Sequence, residues 1–202
     1  MIIRPIVEGQ GDEAAVPVLL RRLLSEAGAW QVQIARPHRR RRSQLVKKDT
    51  LQAALRVALL DPCDAVLVLF DADDDCPKEL APQLSSWTQQ VSGGTPCAVV
   101  MANREYEAWL LGGLEGFARH DQSESEARDP EAVRDAKTEL RNRLPGPSYL
   151  ATADQARLTA LIDLEGAYRS CRSFRKLVGA FGQLLATNGL ELPAWPPGAW
   201  RA

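Results

Sequence analysis

The amino-acid sequence predicts an α/β fold: a parallel sheet of about four strands flanked by helices, followed by a C-terminal helical extension. Short apolar runs alternate with segments of helical periodicity through the first half of the chain, in the order β-α-β-α-β-α-β. Such alternation is typical of right-handed crossovers between parallel strands. The unbroken apolar run at residues 65–70 indicates a central strand that is covered on both faces.

The first elements follow from local patterns. A strand is predicted at residues 2–7, where Pro5 requires either a sheet edge or tolerance of one missing hydrogen-bond donor. Apolar residues at helical spacing predict a helix at 13–27, with Pro17 in its first turn. A weak strand is expected at 32–35, before a strongly basic segment.

Beyond residue 36, predicted helices and strands alternate as far as residue 102, and no further strand is predicted after it. The predicted ranges are a basic loop at 36–48, helices at 49–60 and 78–91, a strand at 97–102, and helices at 105–111, 131–143, 154–168 and 173–186, the last with Ser173 as N-cap. A polar loop is expected at 120–131, and the proline-rich tail at 193–200 is expected not to be helical. We divide the chain into an α/β core, residues 1–118, and a helical extension, 119–202, packed on the core as a single folding unit.

Composition excludes several classes of protein. With 202 residues, 45 % hydrophobic and 25 % charged, the chain matches an ordinary globular protein that can bury a core without disulfide or metal staples. The four cysteines form no C-x-x-C pair, which argues against a disulfide framework or a structural zinc site. No apolar run approaches the ~20 residues of a membrane span, and no signal peptide is recognisable. We therefore expect a soluble cytoplasmic protein with no membrane partner.

Charge is segregated along the chain although the net charge is only -1. Residues 1–60 carry a net charge of +6, residues 61–135 of -11 and residues 136–202 of +4. An acidic middle between basic flanks predicts a metal-binding pocket beside a surface for a polyanion. The alternative is local fluctuation of ordinary surface charge.

Carboxylates follow three of the predicted strands, where the carboxyl ends of parallel strands meet at one sheet edge. They are Glu8 with Asp12, the acidic turn at 71–75, and Glu105 with Glu107. Crowded carboxylates repel each other unless a cation binds, and oxygen ligands without His or Cys favour Mg²⁺ or Mn²⁺. Each group also has a structural interpretation, as a helix N-terminus, a solvated turn or surface positions in a first helical turn.

Two other motif interpretations fail on details. The spacing Asp71-x-Asp73-x-Asp75 begins like a calcium-binding loop, but Cys76 stands where the sharp turn needs glycine. The segment Gly9-x-Gly11-x-x-Ala14 fits a loose dinucleotide fingerprint, yet its acidic residues would face the pyrophosphate.

Four ordered motifs carry a family resemblance. They are Ile6-Val-Glu-Gly-Gln-Gly-Asp-Glu13, Asp71-Ala-Asp73, Asn103-Arg-Glu-Tyr-Glu-Ala-Trp109 and Cys171-Arg-Ser-Phe-Arg-Lys-Leu177. Together they resemble an uncharacterised bacterial family with a Toprim-like domain, related to the nuclease domain of overcoming-lysogenization-defect proteins and often encoded beside an ATPase. The resemblance covers nearly the whole chain, with the last motif outside the Toprim core.

The resemblance implies roles for individual residues. Glu8 corresponds to the Toprim glutamate, a metal ligand or general acid/base, and Asp71 and Asp73 correspond to the metal-binding pair; these three are the implied catalytic residues. Asp12 stands at the position of a second acidic ligand in the nuclease branch. Glu107 is our candidate for a further ligand, with Glu105 as its alternative.

The function we expect is Mg²⁺- or Mn²⁺-dependent hydrolysis of phosphodiester bonds in nucleic acid, as the effector of an ATPase-linked phage-defence system. The basic loop would hold the phosphate backbone through Arg39, Arg40, Arg41, Arg42 and Lys47. Alternatively, this loop is a solvated segment or docks a partner protein. Two rival functions are a non-catalytic module that binds and regulates an ATPase, and an enzyme acting on a small phosphoester.

Overall fold

The computed structural model, which describes residues 1–114, 129–144 and 149–201, confirms an α/β fold on a parallel sheet. Its strands, which pair in parallel throughout, are β1 (Ile2–Val7), β2 (Gln33–Ile34), β3 (His38–Arg39), β4 (Ala65–Asp71) and β5 (Cys97–Ala102). The sheet order is β2-β1-β4-β5, and β3 pairs with β1 further along the same side as β2. The central position of β4 is as predicted.

Strand β1 lies inside the sheet, so the edge alternative for Pro5 is wrong and the missing donor is tolerated instead. The carbonyl groups of Ile3 and Val7 accept hydrogen bonds from the backbone N–H groups of Ala35 and Arg40 on the β2 and β3 side. Pro5 shares their orientation because it lies two residues from each of them. Its absent N–H therefore faces the break between β2 and β3.

Nine α-helices lie in the described ranges: α1 (Gln10–Glu26), α2 (Arg42–Leu45), α3 (Lys48–Ala58), α4 (Pro77–Gln89), α5 (Glu107–Gly112), α6 (Ala136–Arg143), α7 (Ala151–Leu161), α8 (Leu164–Ser170) and α9 (Arg172–Thr187). Short 3-10 helices occupy Pro130–Ala132 and Gly198–Arg201, so the end of the tail is helical, contrary to the prediction. None of the helices in these ranges is long and apolar enough to cross a bilayer. All four cysteines are free thiols.

Several boundaries differ from the prediction. Helix α1 begins at Gln10, which places Pro17 in its interior rather than its first turn. The predicted basic loop contains β3 and α2. The predicted helix at 154–168 is two helices, because Asp163 accepts backbone hydrogen bonds that start α8.

Two features of the extension also differ from the prediction. Helix α6 starts at Ala136, where the Asp135 carboxylate accepts the Thr138 N–H at 2.9 Å, rather than at residue 131. The N-cap of α9 is Cys171, and Ser173 is inside the helix with its hydroxyl buried. The proposed boundary between 118 and 119, and most of the polar loop at 120–131, lie outside the described residues.

The sheet separates two apolar layers because successive side chains of β4 point to opposite faces. Leu67 and Leu69 face the layer that contains α1 and the C-terminal helices, whereas Val66, Val68 and Phe70 face the layer of α3 and α4. Helix α7 packs along α1, and α9 packs against β5. The extension therefore contacts the core directly; that the two fold as one unit stays a prediction.

Candidate functional site

The predicted carboxylates come together at one edge of the sheet. Val7 of β1 pairs in parallel with Leu69 of β4, so Glu8 and Asp71 both lie at the carboxyl ends of neighbouring strands. Asp71 also pairs with the last residue of β5, after which the chain turns into α5 and its first residue, Glu107. The fold thus places all three acidic groups in one neighbourhood, as the strand order predicted.

Asp71 is half-buried at the end of β4. Its position in β4 continues the alternation of Leu67 and Leu69, so its side chain faces α1 and the C-terminal helices. The backbone N–H of Tyr106 donates to Asp71 Oδ1 at 2.8 Å. Burial, reinforced by the charges of Asp12 and Glu107, raises the pKa of Asp71 well above its usual range, against an opposing effect of Lys137.

Glu8 has a buried oxygen atom, Oε2, that accepts no hydrogen bond within the described structure. Burial is the main cause that raises the pKa of Glu8, and the charges of Asp73 and Asp12 act in the same direction. A buried, unpaired carboxylate oxygen is costly, so native structures retain it where a ligand or a proton satisfies it.

Asp12 is nearly buried, and both of its carboxylate oxygens already accept hydrogen bonds. Oδ2 accepts the backbone N–H of Gly9 at 2.8 Å, which stabilises the start of α1. Oδ1 accepts the amide N–H of Gln155 from α7 at 2.7 Å. Asp12 is therefore fixed as a structural residue of the site, whether or not an ion binds beside it.

The two glutamates that follow β5 have different surroundings. Glu107 is 1 % exposed; its Oε1 accepts the Tyr149 hydroxyl at 3.0 Å, and its Oε2 accepts no hydrogen bond from the described residues. Burial raises the pKa of Glu107. Glu105 is half-buried and pairs with the Lys137 ammonium at 3.2 Å. Glu107 is thus the buried member of the pair and the one that acts on the Asp71 carboxyl.

Arg42 binds the acidic turn rather than the open surface. Its guanidinium contacts Asp73 Oδ2 at 3.1 Å, pairs with Asp75, and donates to the backbone carbonyls of Asp71 and Ala72 at 3.2 and 2.9 Å. Asp73 has a left-handed backbone conformation, with φ of 50°, and its side chain is 57 % exposed. Aspartate tolerates this conformation better than most residues, so Arg42 holds an unusual but accessible turn.

The other three arginines of the run flank Glu8. Together with Glu8 and Gln44, they line an open depression of about 490 Å³. Arg39 lies 3.9 Å from Glu13, and Arg40 donates to a backbone carbonyl; both leave most of their charge available on this surface. Lys47 is exposed just before α3 and is not among the residues that line the depression.

The carboxylates do not form a finished metal site as they stand. Within the described ranges, no three Asp, Glu, His or Cys side chains are arranged to hold a metal ion. The donor chemistry nevertheless fits Mg²⁺ or Mn²⁺, because every group is a carboxylate and the buried oxygens Glu8 Oε2 and Glu107 Oε2 accept no hydrogen bond. An ion would require the carboxylates to turn toward one another.

Sequence reasoning missed the side chains that surround these acids from the extension. Lys137, Tyr149 and Gln155 contact Glu105, Glu107 and Asp12 across 32, 42 and 143 residues. No local motif marks them, since each contact depends on how the extension packs.

Ser173 links two of the four motifs. Its hydroxyl accepts the Trp109 indole N–H at 2.7 Å and the Asn103 backbone N–H at 2.9 Å, and donates to Glu131 at 2.5 Å. The motif at 171–177 therefore has a structural part, which is to fix the extension against the segment that carries Glu107.

Comparison with known proteins identifies one family. A family model for a domain of unknown function (DUF4276) matches residues 7–181, which includes the acidic group, the arginine run and most of the extension. No curated protein and no solved structure is matched.

Proposed function

The chain belongs to the DUF4276 family, and from the site itself we propose that it is a metal-dependent phosphodiesterase that cleaves nucleic acid, of the Toprim-like kind that its motifs resemble. One observation carries the proposal. Glu8, whose buried oxygen accepts no hydrogen bond from the described residues, lines the same depression as Arg39, Arg40 and Arg41. An acidic group that can take a divalent cation and a basic surface that can take a phosphate are thus adjacent.

The proposed ligands of the ion are Glu8, Asp71 and Asp73. Asp12 and Glu107 were also predicted as ligands, but Asp12 already accepts two hydrogen bonds and Glu107 faces Lys137. The proposal therefore assigns the ion to the other three carboxylates. When bound, such an ion orients a phosphodiester, lowers the pKa of a water molecule and neutralises charge on the leaving oxygen.

The protein's own side chains supply the remaining requirements. Arg39, Arg40 and Arg41 can bind phosphate oxygens at the depression through charge-assisted hydrogen bonds. Glu8 lies in the lining of that depression, so a cation that it binds would be next to a phosphate held by the three arginines. Arg42 holds the turn that carries Asp73, so it positions a ligand rather than the substrate.

The cellular part of the proposal rests on the resemblance alone. Proteins with these motifs are often encoded beside an ATPase, and we propose that this nuclease is the effector of an ATPase-linked phage-defence system in the cytoplasm. A second candidate, an enzyme for a small phosphoester, is favoured by the volume of the depression, since about 490 Å³ is within the range of small-molecule sites.

The test is a cleavage assay with four substrates: supercoiled plasmid, single-stranded DNA, RNA and mononucleotide phosphoesters. Each is incubated with Mg²⁺, Mn²⁺ or EDTA. We expect cleavage of a polynucleotide with either metal and none in EDTA, and a loss of at least about 100-fold in Asp71→Asn, which removes a ligand charge. The matched control is Asp74→Asn, in the same turn but with a 95 % exposed side chain, which should keep full activity.

Other outcomes of this assay distinguish the two rival functions, the small-phosphoester enzyme and the regulatory module. Cleavage of mononucleotide phosphoesters alone would favour the small-phosphoester enzyme. If no substrate is cleaved with either metal, but the protein changes the rate of ATP hydrolysis by a partner ATPase, the nuclease proposal is wrong and the regulatory module is correct.

A further inference from the structure

Lys137 provides a fixed positive charge inside the acidic group. Its ammonium lies 3.2 Å from Glu105 Oε1 and 3.8 Å from Glu107 Oε2, and its charge also acts on Asp71. Its side chain is 37 % exposed. Although burial opposes it, the combined charges of Glu107, Asp71 and Glu105 raise the pKa of Lys137 above its ordinary value, which keeps it protonated.

The position of this ammonium is set by the start of α6. The Asp135 carboxylate accepts the Thr138 N–H at 2.9 Å and fixes the first turn of the helix. The backbone N–H of Lys137 also donates to Glu105 Oε2 at 3.3 Å. Glu105 therefore contacts Lys137 through both the backbone and the side chain, which restricts where the ammonium can lie.

The surroundings of Glu107 are a second, independent indication that a cation binds at this position. It is 1 % exposed, its Oε1 is held by Tyr149, and its Oε2 accepts no hydrogen bond from the described residues and is directed toward Lys137. A carboxylate this deeply buried is stable as an anion only when a positive charge lies beside it.

We propose that the Lys137 ammonium occupies a second cation position of the site, between Glu105 and Glu107, so that the protein takes one divalent ion where two could otherwise bind. The single-ion part rests on the proposed function; the occupation of a latent cation site by Lys137 does not. The separations of 3.2 and 3.8 Å are those of an ammonium ion pair, whereas Mg²⁺ binds oxygen at about 2.1 Å. Removing the ammonium would leave the Glu105 and Glu107 carboxylates free to bind a metal ion in its place, with water molecules as its other ligands.

The experiment counts Mn²⁺ bound per chain by isothermal titration calorimetry and by the electron paramagnetic resonance signal of free Mn²⁺. The full chain is compared as wild type, Lys137→Met, Lys137→Arg and the double variant Lys137→Met with Glu107→Gln. Lys176→Met, on the exposed side of α9, controls for loss of a lysine elsewhere. Thermal unfolding in EDTA and in Mn²⁺ is measured on the same samples.

We expect one bound ion in wild type, two in Lys137→Met, and one in the other three variants. Without metal, Lys137→Met should melt at a lower temperature than wild type, and Mn²⁺ should restore more of its stability than it adds to wild type. If Lys137→Met does not fold, Lys137→Gln, which also lacks the charge, replaces it in the same count.

The outcomes separate this inference from the proposed function. If wild type binds no Mn²⁺ while Lys137→Met binds one ion, the role of Lys137 stands and the phosphodiesterase proposal loses its metal. If Lys137→Met binds the same number of ions as wild type, the inference is wrong whatever that number is. A gain that persists in the double variant would place the extra ion elsewhere and would also refute it.

Discussion

Replacing Asp71 by asparagine should stabilise the metal-free protein. The substitution removes the charge of the Asp71 carboxylate while keeping an oxygen that can accept the Tyr106 N–H now bound at 2.8 Å. Burial and the charges of Asp12 and Glu107 raise the pKa of Asp71 in the folded state, so the ionised form is destabilised on folding. An asparagine has the same shape without that penalty.

The size of the effect follows from proton linkage. Each unit by which folding raises a pKa costs about 1.4 kcal/mol of stability at a pH above the raised value. In a chain of this length, about 1 kcal/mol corresponds to roughly 2–4 °C in Tm, so each unit should appear as roughly 3–6 °C. Because the folded pKa is raised, the stability due to the proton on Asp71 is fully present below the ordinary aspartate value, about 3.9, and is lost as pH rises through the folded value.

The assay is thermal unfolding by circular dichroism in EDTA between pH 4 and pH 8. Wild type should lose stability as pH rises, more steeply than Asp71→Asn, and the variant should be the more stable protein at pH 7.5. Some pH dependence should remain in the variant, since burial also raises the pKa values of Glu8 and Glu107. Asp74→Asn, which alters a 95 % exposed side chain 3.6 Å from Arg104, should change stability by less than about 1 kcal/mol.

Added Mg²⁺ completes the test. It should raise the Tm of wild type and of Asp74→Asn but not that of Asp71→Asn, because the variant lacks a ligand charge. The reasoning would be refuted if Asp71→Asn were no more stable than wild type at pH 7.5 in EDTA and the two pH profiles were parallel.

Three further predictions concern the basic surface and the extension. Replacing the three arginines at positions 39–41 by serine should weaken nucleic-acid binding and reduce the slope of its salt dependence by up to about three phosphate contacts. Arg42→Ser should instead weaken metal binding, because Arg42 holds the turn that carries Asp73. Equal losses of nucleic-acid binding in the two variants, measured by filter binding, would contradict these separate roles. A fragment of residues 1–149 should be insoluble, since it lacks the helix that packs along α1, and a soluble fragment that unfolds cooperatively would show that the extension is a separate unit. Gly11→Ala should lower the free energy of unfolding in urea by about 1–3 kcal/mol, because the new Cβ would lie 2.0 Å from a side-chain oxygen and 2.8 Å from a backbone oxygen of α7. Gly179→Ala, which adds a Cβ in open space on α9, should not lower it. Similar losses of stability in the two variants would exclude the clash.

Local pattern predicted the sheet well. The bounds of β1 and β5 match the predicted ranges to the residue, and β4 is one residue longer, because each of these strands is a largely apolar run between polar turns. The pattern failed where the hydrogen bonds of one side chain decide where an element begins. The break between α7 and α8 depends on the Asp163 carboxylate, although apolar spacing continues across it.

The arginine run shows the same limit at the site. Four identical neighbours suggested one surface, yet three line the depression beside Glu8 while Arg42 turns onto the acidic turn. Strand β3 and helix α2 divide the run, and a helix directs successive side chains to different sides.

The sequence by itself determined which carboxylates gather at one edge, because parallel strands joined by helices bring their carboxyl ends to the same side of a sheet. Only the tertiary structure decided which of those carboxylates are buried and what neutralises them. Tyr149 and Lys137 of the extension contact Glu107, and Lys137 reaches Glu105 from 32 residues away. The charge state of such a group depends on contacts of about 3–4 Å between distant segments, which no local pattern in the chain encodes.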